Sequence, residues 1–367
     1  MIILMNIIML ILMLGLATAV VWYTAFRLHT LFDFVPYSTI IAIITTLMVL
    51  SMIALFAFMM PSNKFTGTLN IISGYVILFL TYLFFMLAIL HIIQLFWHPS
   101  VVLIGTLAIL LAITVTVVAG VSGSGFVVNE TEIRIASLEQ ELRIMQISDV
   151  HLGHKRGAKY LEKIVQKTQE YSPDLVLLTG DLIESRLGLL PDVLSPLQKF
   201  DVPVYFVEGN HDKYVGIAQI TTMLTQNNVR VLHNEVVETH GIQLIGLAYL
   251  KADDETFDMH PSDNTDTVKS VMSKIDLHDN SPKILMAHSP VGIKYIESAD
   301  VDFMLAGHTH SGQIFPFSLL ARLSFPYFHG IYEYGGLKIF VSSGVGTFGI
   351  KARLGSKNEI NLIKLDS

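Results

Sequence analysis

Before Glu130 the chain carries only three Asp, Glu, Lys or Arg side chains: Arg27, Asp33 and Lys64. A segment so poor in charge cannot cover a soluble surface. It divides into four apolar stretches, residues 2–23, 39–60, 71–97 and 101–121, each long enough to cross a bilayer, which needs about 20 residues of helix. Short polar or proline-bearing turns separate them, RLHTLFDFVPYS, PSNKFTGTLN and HPS. The first stretch is not a signal peptide on this reading, because it lacks a basic leading region, its apolar run is too long, and three more such runs follow. Buried helices of a soluble core are disfavoured by the same length and lack of charge. Four spans would leave the N-terminus and everything after the last span on one side of the membrane. Lys64, Arg134 and Arg143 would share that side and Arg27 the other, a slight bias toward the cytoplasmic face of a cell membrane.

The remaining two thirds of the chain hold nearly all of the net charge of −7. The change falls at a small-residue run, AGVSGSGF, residues 119–126. The expected organisation is a transmembrane anchor over residues 1–122, a linker with a first strand over 123–139, and a second domain over 140–367. No cysteine is present, which removes disulfides and thiolate metal sites and leaves His, Asp and Asn as available ligands. Short apolar runs predict strands at residues 143–148, 175–179, 204–208, 242–247, 283–287, 303–306 and 337–342. Polar periodic segments predict helices at 158–171, 190–199, 217–226 and 267–274. The alternation reads as an α/β domain, and in that class functional residues sit on loops at the carboxyl ends of strands.

Five of those strand ends carry related chemistry. RIMQISDVH ends with Asp149 and His151, LVLLTGD with Asp181, VYFVEGNHD with Asn210, His211 and Asp212, KILMAHSP with His288, and MLAGHTHSG with His308 and His310. Singly, each has an ordinary explanation: a helix N-cap, a turn, or a hydrogen-bonded structural histidine. Together they call for another, because unrelated turns have no reason to place carboxylates, imidazoles and an amide at the termini of so many strands. A shared dinuclear metal site accounts for all of them.

The ordered set Asp149-Val-His151, Gly180-Asp181, Gly209-Asn210-His211-Asp212, His288 and Gly307-His308-Thr309-His310 resembles the calcineurin-like metallophosphoesterases over roughly residues 140–367. The tail YEYGGLKIFVSSGVGTFGIKARLG also resembles the ending of a membrane-associated or exported bacterial subgroup similar to YkuE and YaeI. The resemblance implies a two-sheet sandwich flanked by helices, following the transmembrane helices, with metals at the strand ends. It implies that Asp149, His151 and His310 hold one divalent ion, that Asn210, His288 and His308 hold a second, and that Asp181 bridges them. Mn, Fe or Zn suits such N and O donors. It further implies attack on phosphorus by a metal-bridging hydroxide, with His211 protonating the leaving oxygen. In the related protein phosphatases an Asp orients that histidine. Here the place holds Glu184, one methylene longer, and Asp212 competes for the role.

Departures from the family pattern narrow the substrate. GDLIESR lacks the arginine that protein phosphatases of this group carry at the sixth place, which disfavours a phosphoprotein. A polar, acidic insertion, residues 251–268, precedes His288, and an aromatic stretch, residues 314–334, follows His310. Its apolar residues either admit an acyl chain or touch lipid, or else Phe315, Phe317, Phe325 and Phe328 pack a small core. The expected function is therefore a membrane-anchored metal-dependent phosphoesterase or pyrophosphatase acting on a phosphoester substrate, with a lipid or cell-envelope precursor as candidate. The alternative is a non-catalytic metal-binding membrane protein that senses or docks a partner. A transporter has less support, because apart from Arg27, expected in a turn, the spans lack charge. Nucleic acid is disfavoured as a partner, since the second domain is net acidic and has no basic stripe.

Overall fold

The computed structural model describes residues 2–56, 63–136, 138–256, 258, 260–278 and 281–367, with residues 2–14, 55, 56 and 64 described only as helix. Its contacts divide the chain into two compact units, one of the residues up to Gly120 except 61–63, the other chiefly Val121–Ser367.

The first unit consists of α1 (Ile2–Leu31), α2 (Tyr37–Phe56), α3 (Lys64–Gln94) and α4 (Val101–Ser122). Among the described residues three of these helices are long and apolar enough to cross a membrane, over Tyr37–Ala54, Phe65–Gln94 and Val101–Ser122. The first expected span lies in α1, but most of its side chains, residues 2–14, fall outside those described, as do residues 57–60 of the second. Arg27 is not in a turn. No proline or glycine interrupts residues 16–31, so α1 runs past Arg27 to Leu31, and the buried guanidinium donates to Gln94 Oε1 on α3. That pairing satisfies part of a charge that would otherwise be stranded among apolar helices.

The second unit is built on two six-stranded sheets. The first runs β1 (Val127–Arg134), β12 (Glu359–Asp366), β2 (Leu142–Ile147), β3 (Leu175–Thr179), β4 (Val204–Val207) and β5 (Val229–Val231). The second runs β10 (Gly330–Tyr334), β11 (Leu337–Val341), β9 (Phe303–Ala306), β8 (Lys283–Met286), β7 (Ile242–Gly246) and β6 (Glu235–Thr239). Strands β2 to β5 are parallel, as are β7, β8, β9 and β11. Parallel strands covered on both faces read as continuous apolar runs, and LVLLT and FMLA are such runs.

Side chains alternate between the two faces of each strand, which sorts them into layers. Ile144, Leu175, Leu177 and Val207 of the first sheet meet Leu244, Ile284, Phe303 and Leu305 of the second in a central core. Met145, Ile147, Val176 and Leu178 face the other way, against α5 (Ala158–Gln169) and α7 (Ile217–Gln226). Leu285, Met304 and Ile339 pack outward against α8 (Val268–Met272) and α9 (Ile293–Glu297). Burying each such side chain stabilises the unit by roughly 1.5–3 kcal/mol. The result is the expected α/β arrangement, a two-sheet sandwich flanked by helices. The expected helix at 190–199 does not form. Its residues make 3-10 turns, Pro191–Val193 and Ser195–Lys199, because Pro191 and Pro196 have no N–H to donate.

Candidate metal centre

Each sequence-derived residue emerges from the carboxyl end of a strand. Asp149 and His151 follow β2, Asp181 follows β3, and Asn210 to Asp212 open α6 (Asn210–Val215) after β4. His288 follows β8 and His308 and His310 follow β9, so both sheets contribute. The chain turns sharply at these points. Asp149, His151, Asp181, His308 and His310 all have left-handed backbone, with φ between 50° and 72°. Such conformations cost about 1–3 kcal/mol each in a non-glycine residue and persist where the surroundings over-determine them. Backbone bonds do so here: Asp149 N–H donates to Gly180 O at 3.0 Å, His151 N–H to Asp181 O at 3.0 Å, and Gly346 N–H to Asp149 O at 2.7 Å. Two glycines let the carboxylates approach. A Cβ on Gly209 would lie 2.1 Å from Asp181 Oδ1, and one on Gly307 would lie 2.4 Å from Asp149 Oδ2.

The side chains converge in adjoining clusters. Ligand atoms of Asp149, His151 and His310 all lie within 4.8 Å of one another, and so do those of Asp181, His288 and His308. His151 Nε2 is 3.0 Å from His310 Nε2, and His310 Nε2 is 3.2 Å from Asp149 Oδ1. On the other side His288 Nε2 is 3.1 Å from His308 Nδ1. Asp181 joins the two, since its Oδ2 lies 3.2 Å from His288 Nε2 and 3.7 Å from His151 Nε2. Its other oxygen accepts the His211 N–H at 2.9 Å, so a single carboxylate oxygen faces both clusters.

Electrostatics favour cation binding. Burial, with the neighbouring His211, holds His151 well below the usual imidazole range. Burial and His288 do the same to His308, and burial and His151 to His310. These rings therefore stay neutral and offer lone pairs. Burial would lower His288 too, but the carboxylates of Asp181 and Asp149 outweigh it and push it up to about 10. Burial likewise pushes Asp149 up to about 6. Buried carboxylates in such a nest require positive partners. His288 Nδ1 faces the Thr179 carbonyl at 2.9 Å and, since a carbonyl only accepts, donates to it, leaving Nε2 turned inward. Asn210 Oδ1 is buried and, among the described residues, meets no hydrogen-bond donor. An orphaned amide oxygen and converging imidazole and carboxylate atoms suit divalent ions of borderline softness.

The other candidates separate. His211 is half-buried, its ring 4.8 Å from that of His151. Glu184 is engaged by other partners: its carboxylate accepts from Lys155 Nζ at 3.0 and 3.1 Å and from the Gly349 N–H at 3.1 Å. Asp212 is fully buried and accepts backbone N–H groups of Gly209, Ile183 and Leu182 at 2.9, 2.9 and 3.3 Å. It ties the Asp181 loop to the Asn210 helix.

Sequence reasoning missed the groups beneath and around the clusters. Arg353 is fully buried and donates from Nη1 to His310 O at 2.8 Å and from Nη2 to Gly346 O at 2.9 Å. Ser148 Oγ donates to Asp149 Oδ2 at 2.5 Å, and Gln146 Nε2 crosses between the sheets to Ala306 O at 2.9 Å. A glutamine inside an apolar strand was the one available signal. From the insertion, His260 places its ring 5.3 Å from that of His308, and Phe325 of the aromatic stretch lies 6.0 Å from it.

Fold and donor set together define an α/β sandwich that gathers two adjoining histidine–carboxylate clusters where its strands end. Residues 142–312, which include all these donors, match the calcineurin-like phosphoesterase family. A metallophosphoesterase of Aquifex aeolicus is 32% identical over 243 residues, covering 61% of this chain and 85% of that one. One from Helicobacter pylori J99 is 35% identical over 243 residues, covering 65% of this chain and 63% of that one. A Bos taurus protein described as a transmembrane protein with metallophosphoesterase domain is 31% identical over 250 residues, 64% of this chain and 55% of that one. This chain belongs to the calcineurin-like phosphoesterase family, although it spans less than two thirds of the Helicobacter and Bos taurus relatives.

Proposed function

We propose that the protein is a membrane-anchored phosphoesterase that works with two divalent metal ions. The observation that carries this reading is the position of Asp181 Oδ2, between an imidazole of one cluster and an imidazole of the other. Asp149, His151 and His310 would hold one ion, Asn210, His288 and His308 the other, with Asp181 shared. Bound there, the ions would activate water and neutralise charge on the phosphoryl group, which is the main demand of phosphoryl transfer. The chain's own groups do the rest. Asp181 Oδ1 fixes the backbone of His211, and the half-exposed imidazole can hand a proton to the leaving oxygen. Thr179 and Arg353 keep His288 and the His310 backbone in place.

Three apolar helices and the transmembrane relative support membrane association. Basic residues at Lys64, Arg134 and Arg143 support a cytoplasmic placement of the second unit in a cell membrane. His260 and Phe325 at the mouth give a partly apolar rim, which supports a phosphoester or pyrophosphate carried on a lipid or envelope precursor. The test is metal content and turnover of an aryl phosphate by the purified full chain. Chelation should abolish turnover, and Asp181→Asn should lose metal from both clusters together with activity. Undiminished turnover in Asp181→Asn refutes the shared carboxylate, and stoichiometric metal without turnover of any phosphoester favours a sensing or docking role.

A further inference from the structure

The helix α10 (Phe317–Ser324) buries none of its residues. Leu319, Leu320 and Leu323 are 55%, 65% and 85% exposed, and Phe315 and Phe317 are about half exposed. Positions 319, 320 and 323 fall on one stripe of a helix, with the cationic Arg322 beside it. Burying a leucine contributes about 1.5–3 kcal/mol, so a stripe of three held in water is a substantial unused driving force.

This helix is bracketed by the metal centre. His310 lies in the turn before it, and Gly312 of that turn is so close that a Cβ would sit 2.5 Å from Ser318 Cα. Phe325 follows it and packs on His308. Its root is tied to the loop after β11, where Phe315 N–H donates to Leu354 O at 2.8 Å and Ser356 Oγ to Gln313 O at 3.0 Å. The same loop grips the residues that directly follow α4. Asn358 Nδ2 donates to Gly123 O at 3.1 Å and to Gly125 O at 2.7 Å, and Arg156 Nη2 donates to Gly123 O at 2.8 Å. Gly123 lies against Ala352, where a Cβ would come within 2.6 Å of Ala352 Cα. Ala352 and Leu354 are two residues apart, about 7 Å of extended chain, which puts Phe315, two residues before α10, within roughly 16 Å of Gly123. The chain leaves an apolar span at Ser122, one residue earlier. The interface layer outside the hydrocarbon is itself several ångströms deep, and short amphipathic helices lie in it with their apolar face sunk about 5–10 Å.

We propose that α10 docks on the lipid interface of the membrane that holds the N-terminal helices. Leu319, Leu320 and Leu323 enter the boundary between headgroups and acyl chains, and Arg322 meets anionic headgroups. The mouth of the metal centre then opens onto phosphoesters resident in that membrane, while α10 itself touches lipid and no reacting atom. The inference rests on the membrane-anchored reading above.

Because the chain has no cysteine, single labels are clean. The full chain would be reconstituted into nanodiscs of phosphatidylethanolamine and phosphatidylglycerol, bearing an environment-sensitive fluorophore at Leu323→Cys or, as control, at the exposed Thr225→Cys on α7. Emission at position 323 should shift to the blue and fall at least about twofold when spin-labelled lipid is included, as expected for a group in the headgroup–acyl boundary, while the control does not change. Water-like emission at 323 without quenching overturns the proposal. A blue shift that lipid does not quench overturns it too, since a protein surface such as a second copy then covers the helix. Failure of the chain to enter nanodiscs refutes the anchored reading itself, and with it the inference.

Discussion

Replacing Asp212 with alanine should destabilise the second unit rather than merely slow it. The carboxylate is fully buried and is the acceptor for three backbone N–H groups, those of Gly209, Ile183 and Leu182. Removing it strands all three. Each stranded buried donor costs about 1–3 kcal/mol, and the 3.3 Å bond of Leu182 belongs at the low end, so the sum is about 3–6 kcal/mol. Burial and the neighbouring Asp181 push Asp212 up to about 7, but a carboxyl group keeps acceptor oxygens in either protonation state, so the expectation holds on both sides of neutrality. Against a total stability of about 5–15 kcal/mol the loss is large, and at about 2–4 °C per kcal/mol it lowers Tm by about 6–24 °C. Asp212→Asn keeps an acceptor for Ile183 but turns an amide N–H₂ toward other donors, so it should fall between alanine and wild type. Both tryptophans, Trp22 and Trp97, lie in the first unit, so calorimetry of the full chain in detergent is the appropriate assay. A loss below about 1 kcal/mol for the alanine variant would refute the clamp, because that is less than one stranded buried donor. Normal stability with depressed turnover would return Asp212 to the role of orienting His211.

His211→Ala should keep its metals yet slow an ester with a poor alkoxide leaving group by about 10²-fold or more, with a much smaller loss for a nitrophenyl ester. Metal analysis beside the two rates decides it: His211 also lies within ligand reach of His151 and Asp181, and a fall in metal content would make it a ligand instead. Glu359 supplies a pH dependence. Burial alone would raise it, but His329, the Ser343 N–H and Arg353 outweigh burial and hold its carboxyl below the usual range. A depressed folded value means that its stabilisation is present above the unfolded carboxylate value of about 4.3 and is lost as pH falls through the lower folded value. The Tm gap between wild type and Glu359→Gln should therefore be full at neutral pH and shrink below about pH 4, and a gap that stays constant into acid contradicts the assignment.

The strands that sequence reasoning found are those in the sheet interiors, because LVLLT, KILM and FMLA are buried on both faces and read as apolar runs. Of the four sheet edges it placed only β1, as the first strand expected within residues 123–139, and it missed β5, β6 and β10, which keep polar or exposed residues on one side, and β12, whose partners lie more than two hundred residues away. The donor residues were legible for a similar reason. A carboxylate or imidazole directly after a buried run has few structural uses, and five such places in one chain point at one another. Their order also matched a family, to which the comparisons assign the chain. What composition and order could not hold is direction in space. That one oxygen of Asp181 faces both clusters while the other takes a backbone N–H, that Glu184 turns to Lys155, and that Asp212 clamps two loops all depend on backbone bends with positive φ and on groups brought in from elsewhere. Arg353 lies more than forty residues past His310 and reaches its carbonyl only because the loop after β11 folds back beneath it. The sequence by itself determined the apolar helices, the α/β alternation and which side chains are candidate donors, since these follow from local hydrophobicity and residue type. Only the tertiary structure decided which donors meet, which acids are occupied elsewhere, and that the leucines of α10 remain exposed, because those outcomes are set by long-range packing between segments that carry no mark of one another in the chain.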